Sequence, residues 1–222
     1  MIAEIFPEAY DTEGRTTFRP DQKRRGGFPS TFPVGSYVSH PLTAKCKSFE
    51  DLRIFLKKCR YITDEEQFGK KDYWIPPQDF ERSRKGDCED FSLYAWRQLL
   101  EMGYKARIVC GTLGDSSSGH AWVTFLNEGK HFLLEPQARF AGLRLPRLDV
   151  LRYSPFVSAE WDGERVHFYS HKERKFVPPI RQIPLLVLEW IFYRVRFIST
   201  FAFMILRAVY LGLLGKRKVP NP

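Results

Sequence analysis

The residue types best suited to nucleophilic chemistry lie within residues 86–136, and they are Cys88, His120 and Glu135. A cysteine thiolate attacks carbonyl carbons, and an imidazole takes up the thiol proton and later returns it to the leaving group. A carboxylate bonded to the second ring nitrogen fixes the orientation of the imidazole. We therefore predict a site in which Cys88 is the nucleophile, His120 its base and Glu135 the residue that orients the histidine.

The elements that carry these residues should bring them together. Apolar residues recur at helical spacing after Cys88, with Asp87 as the N-cap and Gly103 as the stop, so the cysteine occupies the first helical position. The unpaired amides and dipole of a helix N-terminus favour a thiolate. His120 opens one predicted strand and Glu135 ends its hairpin partner, so antiparallel pairing places the two residues close to each other.

Each of the three residues also has an ordinary structural interpretation. A cysteine at a helix start is often core filler, a strand-initial histidine is often a capping group, and a glutamate before proline is often a solvated strand end. Their joint placement favours the catalytic interpretation. A zinc site built from Cys88, His120 and Glu135 is the competing chemical interpretation, but no CxxC or HxxxH pair anchors it, and we predict no metal and no cofactor.

The motifs around these residues resemble those of the transglutaminase-like superfamily. They read GDCEDF at 86–91, GHAWV at 119–123 and LEP at 134–136, and DYWIPP at 72–77 is more similar to bacterial transglutaminase-like cysteine peptidases than to the large animal transglutaminases. The resemblance spans roughly residues 48–140. It implies a papain-like core, acyl-thioester chemistry at the cysteine, and a third residue that is usually Asp, where this chain has a longer Glu.

An acyl-transfer site also needs donors for the oxyanion of the tetrahedral intermediate. The backbone amide of Cys88 is one candidate. The indole N–H of Trp74 and the amide of Gln78 are candidates for a second donor, with simple aromatic packing as the alternative for Trp74. The acidic neighbours Glu89 and Asp90 oppose thiolate formation unless cationic groups offset their charge.

The overall pattern predicts one α+β domain, with the nucleophile helix packed on an antiparallel sheet and a hydrophobic helix at the C-terminus. We divide the chain into an extended, Pro- and Gly-rich arm at 1–45, a transglutaminase-like domain at 46–180 and a C-terminal helix at 181–222. A short helix is expected from about Ser48 to Cys59. Less regular strands are predicted around residues 149–153, 165–170 and 175–177.

Charge and cysteine usage narrow the function classes. The formal charge is +9, and the segment 181–222 carries seven basic residues and one acidic residue, so the rest of the chain is nearly balanced. A balanced domain argues against a nucleic-acid surface. The four cysteines form no CxxC pair or dense framework and the N-terminus shows no secretory signal, so we expect reduced thiols and a cytoplasmic location.

The C-terminal segment is unusually apolar. From Ile183 to Leu214, 24 of 32 residues are apolar, and the longest run without a charge, residues 197–206, has ten residues, short of the about 20 needed for a clean span. Basic residues within and after this segment suit anionic lipid headgroups. We predict an interfacial or partly inserted membrane helix. The alternatives are a span in which Arg207 is paired or snorkels and a helix docked on protein.

Together, the residues and the resemblance predict a thiol-dependent acyl-transfer enzyme, foremost a cysteine peptidase or amidase that acts on amide bonds through a thioester. One alternative is a transglutaminase-type protein acyltransferase, in which an amine replaces water as the acceptor. The other is a catalytically inactive, membrane-tethered binding module. The expected partners are a protein or peptide substrate and a membrane surface contacted through residues 183–214, without nucleic acid.

Overall fold

The computed structural model of this chain describes residues 2–5, 13–18, 28–137, 147–171 and 180–215. The described α-helices are α1 (Ser36–Ser39), α2 (Phe49–Lys57), α3 (Asp64–Phe68), α4 (Pro77–Ser83), α5 (Cys88–Glu101) and α6 (Ile183–Gly215). Short 3₁₀ helices cover Arg147–Arg152 and Ile180–Gln182. The described strands are β1 (Ile2–Glu4), β2 (Glu13–Phe18), β3 (Arg60–Tyr61), β4 (Lys85–Gly86), β5 (Lys105–Leu113), β6 (Gly119–Asn127), β7 (Lys130–Leu134), β8 (Tyr153–Trp161) and β9 (Val166–Ser170).

A seven-stranded sheet forms the centre of the molecule, in the order β1-β7-β6-β5-β8-β9-β2. Its described strand pairs are all antiparallel. The β6–β7 hairpin turns at Glu128 and Gly129, which both adopt the positive φ angles that a tight two-residue turn requires. The short strands β3 and β4 pair in parallel beside the start of α5.

Helix α5 covers one face of the sheet and is held there by two buried hydrogen bonds as well as by apolar packing. Ser92 Oγ donates to the Ala121 carbonyl at 2.9 Å, and Trp96 Nε1 donates to the Ala106 carbonyl at 3.0 Å. Ser92 lies one helical turn after Cys88, so the first of these bonds fixes the position of Cys88 relative to the start of β6.

The opposite face of the sheet carries a second, smaller apolar cluster. Strands β5, β6 and β7 supply its central side chains, and the 3₁₀ helix at Arg147–Arg152 closes it. Its fully buried or nearly buried members include Val109, Trp122, Leu133, Val150 and Tyr153. The sheet is therefore covered on both faces, as expected for a sheet whose central strands have few polar positions.

The described architecture confirms the predicted α+β fold, with helix α5 on an antiparallel sheet and a further helix at the C-terminus. The helix expected from about Ser48 to Cys59 is α2, in which Ser48 Oγ accepts from the Asp51 amide at 3.1 Å. The strand predicted around 165–170 is β9. Among the described residues, no helix combines the length and the apolar character of a membrane span.

Two parts of the chain differ from the sequence expectation. The prediction of a strand at 149–153 is wrong for most of these residues, because residues 147–152 form a 3₁₀ helix and β8 begins at Tyr153. The segment predicted as an arm contributes β1 and β2, the two outer strands of the sheet. The strand predicted at 175–177 lies outside the described residues, and the division into domains stays a prediction.

Strands β5 and β8 pack very closely at Gly111, and this packing leads to a prediction about stability. A Cβ added at Gly111 would collide with the Ser154 carbonyl oxygen and would lie 2.7 Å from the Trp122 ring and 2.9 Å from the Pro155 Cα, where β5 and β8 change register. We expect Gly111→Ala to lower the free energy of unfolding by about 1–3 kcal/mol, measured by denaturant titration. In the matched control Gly119→Ala, the added methyl meets no atom within 4 Å, so the change should stay within about 0.5 kcal/mol. Equal effects of the two substitutions would contradict the packing argument.

Candidate functional site

The start of helix α5 is built around the buried carboxylate of Asp90. Its Oδ2 accepts from the Asp87 amide at 3.2 Å, which closes the helix cap, and its Oδ1 accepts from the Ile75 amide at 2.9 Å. Asp90 therefore connects the aromatic loop at 72–76, before α4, to the first turn of α5, which carries Cys88. Burial raises the pKa of Asp90 to about 8, and the Ile75 amide opposes that rise.

Gly86 is required by the same carboxyl group. A Cβ at Gly86 would lie 2.6 Å from the Cβ of Asp90 and 2.9 Å from its Cγ, closer than real side chains approach. The glycine thus leaves room for Asp90 to fold back over the helix start. This gives a steric reason for two of the positions in the GDCED sequence, apart from the nucleophile itself.

The Cys88 thiol lies between helix α5 and the start of strand β6. Its Sγ–H donates to Glu89 Oε2 at 3.1 Å, and the Ala121 amide donates to the sulfur. Burial, followed by the charges of Glu89 and Asp87, raises the pKa of Cys88 well above its ordinary value, while the Ala121 amide works in the opposite direction. The thiol of this arrangement is therefore protonated.

His120 and Glu135 are in direct contact at the end of the β6–β7 hairpin. The register pairs Val123 with Leu134, so His120 and Glu135 are diagonal neighbours on one face of the sheet. His120 Nε2 lies 2.8 Å from Glu135 Oε2. Because Nε2 faces the carboxylate, Nδ1 is the ring nitrogen left to exchange a proton with a substrate or a thiol.

Tyr153, which the sequence did not single out, completes the surroundings of Glu135. Its hydroxyl donates to Glu135 Oε2 at 3.0 Å, and the Gln137 amide donates to Oε1 at 3.2 Å. Burial and the neighbouring Glu135 raise the pKa of Tyr153, so it stays a neutral donor. The Tyr153 ring also packs edge-on against Trp122 at 5.2 Å. No local motif marks Tyr153, because β5 lies between its strand and the hairpin and the side chains meet only in the folded sheet.

The structure thus brings the three predicted residues into one region and joins two of them by a hydrogen bond. The Cys88 sulfur contacts the amide of Ala121, the residue that follows His120. Within the described residues, the thiol donates to Glu89, whereas the imidazole bonds to Glu135. The thiol and the imidazole therefore belong to two adjacent hydrogen-bond networks, each centred on its own carboxylate.

The two candidates for the second oxyanion donor are placed differently. Trp74 is buried, its Nε1–H donates to Asp72 Oδ1 at 2.8 Å, and its ring meets Phe28 edge-on at 5.5 Å. Its indole donor is therefore engaged, which favours the packing interpretation. Gln78 lies in the first turn of α4, and its buried Oε1 has no hydrogen-bond partner within the described part of the chain. Its role as a donor stays a prediction.

A cluster of carboxylates next to the thiol was not predicted from the sequence. Ligand oxygens of Asp64, Asp87 and Asp90 lie within 4.8 Å of one another, as do those of Asp64, Asp72 and Glu89. Asp64 is only 2% exposed, and its Oδ1 and the Oδ1 of Asp87 have no hydrogen-bond partner among the described residues. Burial raises the pKa of Asp64, and it raises that of Glu89 to about 10. Crowded carboxylate oxygens of this kind are the ligands that Ca²⁺ prefers.

The comparison with protein families identifies one match. Residues 52–138 match the family described as bacterial transglutaminase-like cysteine proteinase. The matched range contains Cys88, His120 and Glu135 together with the carboxylate cluster. A comparison with curated proteins found no match.

Among solved structures, three of Legionella pneumophila LapG are similar to this chain. The first is 20% identical with a TM-score of 0.40, covering 65% of this chain and 72% of that one. The calcium-bound form is 19% identical with a TM-score of 0.41, covering 72% and 82%. The EGTA-treated form is 19% identical with a TM-score of 0.41, covering 75% and 81%. The family match by itself confirms, over residues 52–138, the resemblance to bacterial transglutaminase-like cysteine peptidases that the sequence motifs indicated.

Proposed function

We propose that this protein is a cysteine hydrolase that cleaves amide bonds in a protein or peptide substrate. The observation that carries the proposal is the 2.8 Å contact between His120 Nε2 and Glu135 Oε2, together with the contact of the Cys88 sulfur with the amide of Ala121, the residue after His120. This is the base and orienting pair that a thiol nucleophile requires. The similarity of residues 52–138 to a family of cysteine proteinases supports the same conclusion.

The proposed reaction has two steps. In the first, His120 Nδ1 takes the Cys88 proton, the sulfur bonds to the substrate carbonyl carbon, and the imidazolium protonates the departing amine as the C–N bond breaks. In the second, His120 takes a proton from water, the hydroxide adds to the thioester carbon, and the C–S bond breaks. The thiolate then regains its proton. The Cys88 backbone amide and Gln78 are the donors we propose for the oxyanion.

Glu135 and Tyr153 support these steps without forming bonds to the substrate. Glu135 accepts from His120 Nε2, and this bond stabilises the imidazolium that exists between proton transfers. Tyr153 donates to the same carboxylate oxygen and restrains its position. The longer side chain of a glutamate leaves more torsional freedom than an aspartate, so a second donor has a clear physical use here.

Cys88 has to exchange its bond with Glu89 for one with His120 before it reacts. We propose that Asp64, Asp72 and Glu89, whose ligand oxygens lie within 4.8 Å of one another, hold a hard divalent cation such as Ca²⁺, whose charge offsets the carboxylates that oppose the thiolate. The unpartnered, buried Oδ1 of Asp64 supports this assignment, because a buried carboxylate oxygen without a partner is costly.

Hydrolysis is our choice over acyl transfer to an amine, on the ground that the matching family consists of cysteine proteinases. If the acyl group were transferred to an added primary amine rather than to water, the assignment would change to a transglutaminase-type acyltransferase. The cytoplasmic location expected from the N-terminal sequence and the cysteine content stays a prediction.

Alkylation by iodoacetamide tests the nucleophile. Burial raises the pKa values of all four thiols, but only Cys88 has the proposed base and the proposed cation to offset it, so with Ca²⁺ present we expect Cys88 to react much faster than the other three cysteines. His120→Ala should lower the Cys88 rate by about 100-fold or more, because the general base is lost. Peptide mass spectrometry after timed quenching gives the four rates. Uniformly slow labelling in the unmodified chain would favour the inactive binding module.

Tyr153→Phe tests the support of Glu135. The substitution keeps the ring packed on Trp122 but removes the 3.0 Å hydrogen bond, so we expect kcat for a peptide substrate to fall about tenfold with KM little changed. Tyr169→Phe, at a buried tyrosine on β9, is the matched control and should keep full activity. A parallel loss of thermal stability and of substrate binding in Tyr153→Phe would point to a general structural role instead.

Thermal unfolding with and without Ca²⁺ tests the carboxylate cluster independently of activity. A cation that binds only the folded chain stabilises it by mass action, so saturating Ca²⁺ should raise the unfolding midpoint by about 5 °C or more over EGTA. Asp64→Asn should abolish this difference, because it removes the buried anionic ligand. Asp79→Asn, at a carboxylate paired with Arg82 on α4, should leave it intact. A midpoint that is unmoved by Ca²⁺ in the unmodified chain would remove the cation from the proposal.

A further inference from the structure

Helix α6 touches the rest of the protein along one narrow face near its N-terminal end. Leu186 is fully buried there. Trp190 Nε1 donates to Asp149 Oδ1 at 3.1 Å, and Arg194 Nη2 donates to Asp149 Oδ2 at 3.2 Å. These three side chains are spaced four residues apart, so they lie on one side of the helix, and they tie it to the 3₁₀ helix at Arg147–Arg152.

A second face of α6 is apolar and points away from the protein. At 100° per residue, its large side chains fall within an arc of about 140° that begins beside the face just described. Each of them is more than half exposed. They are Leu185, Leu188, Phe192, Val195, Ile198, Phe203, Leu206, Val209 and Tyr210. An exposed apolar surface of this extent along one helix marks an interaction site.

A polar stripe separates the apolar face from the anchored face on one side. Glu189, Arg196, Thr200 and Arg207 lie along it at spacings of seven, four and seven residues; Glu189 is partly buried and the other three are exposed. Long arginine side chains at the edge of an apolar face reach outward with their charged ends while the stems stay on the apolar surface. This arrangement suits contact with lipid phosphates above an acyl layer.

The partner that fits these faces best is an anionic lipid surface. A helix that pairs with a second helix needs only a narrow seam, whereas the apolar arc of α6 is broad and continues from Leu185 to Tyr210. The charge agrees, because the segment 181–222 carries seven basic residues and one acidic residue, including the run at 216–218 just after the helix.

We propose that α6 lies in the surface of an anionic bilayer, with its apolar face among the acyl chains and Arg196 and Arg207 at the phosphates. The anchored face then stays on the protein, since Trp190 and Arg194 are held by Asp149. The helix thereby attaches the catalytic domain to the membrane in a fixed orientation and selects substrates that are present at the same surface. The binding itself does not depend on the proposed peptidase activity.

Vesicle flotation of the full chain tests this proposal. We expect the protein to float with vesicles of phosphatidylcholine and phosphatidylserine, to float less with phosphatidylcholine alone, and to dissociate as salt is raised. Phe192→Glu places a charge on the exposed apolar face and should weaken binding to the anionic vesicles at least tenfold. Thr200→Glu adds the same charge on the polar stripe, so it is the matched control and should weaken binding only slightly.

Two outcomes would overturn the proposal. One is equal binding of the Phe192→Glu and Thr200→Glu variants, because the apolar face would then contribute nothing. The other is a stable dimer in sedimentation without lipid that Phe192→Glu dissociates, together with no flotation of the unmodified chain. That result would assign the apolar face to a second copy of this protein.

Discussion

The buried carboxylate of Glu135 is the point on which the candidate site depends. It accepts from the His120 ring on β6, from the Tyr153 hydroxyl on β8 and from the nearby Gln137 amide, so two other strands are joined to the end of β7 at its two oxygens. A buried carboxylate is tolerated only when such donors surround it. The position of His120 is therefore set by the pairing of β6 with β7 and by the place where β8 enters the sheet.

The nucleophile end of the site is governed by a different electrostatic balance. Asp90 is satisfied by two amides and fixes the helix start, whereas Asp64 and Asp87 each retain a carboxylate oxygen without a partner among the described residues. Burial, followed by the acidic groups of Glu89 and Asp87, raises the pKa of Cys88 and keeps its thiol protonated in this arrangement. A site of this kind gains reactivity when positive charge arrives, which links the proposed cation to the proposed chemistry.

The distant helix is connected to the same site through a short path. Asp149 accepts hydrogen bonds from Trp190 and Arg194 of α6. The 3₁₀ helix that contains Asp149 is followed directly by Tyr153, the first residue of β8. Tyr153 in turn bonds to Glu135. Attachment of α6 to a surface would thus hold the element that restrains the Glu135 carboxylate, so the proposed membrane contact and the proposed active site share one structural support.

The sequence by itself determined the features that depend on neighbours in the chain. The helix starting at Cys88, its Asp87 cap and the hairpin that joins His120 to Glu135 follow from local periodicity and turn residues. Tertiary structure alone decided that residues 147–152 form a 3₁₀ helix, that residues 2–4 and 13–18 complete the sheet, and that Tyr153 and Asp64 join the site. These features depend on contacts between residues far apart in sequence, and such contacts leave no periodic signal in the segments that make them.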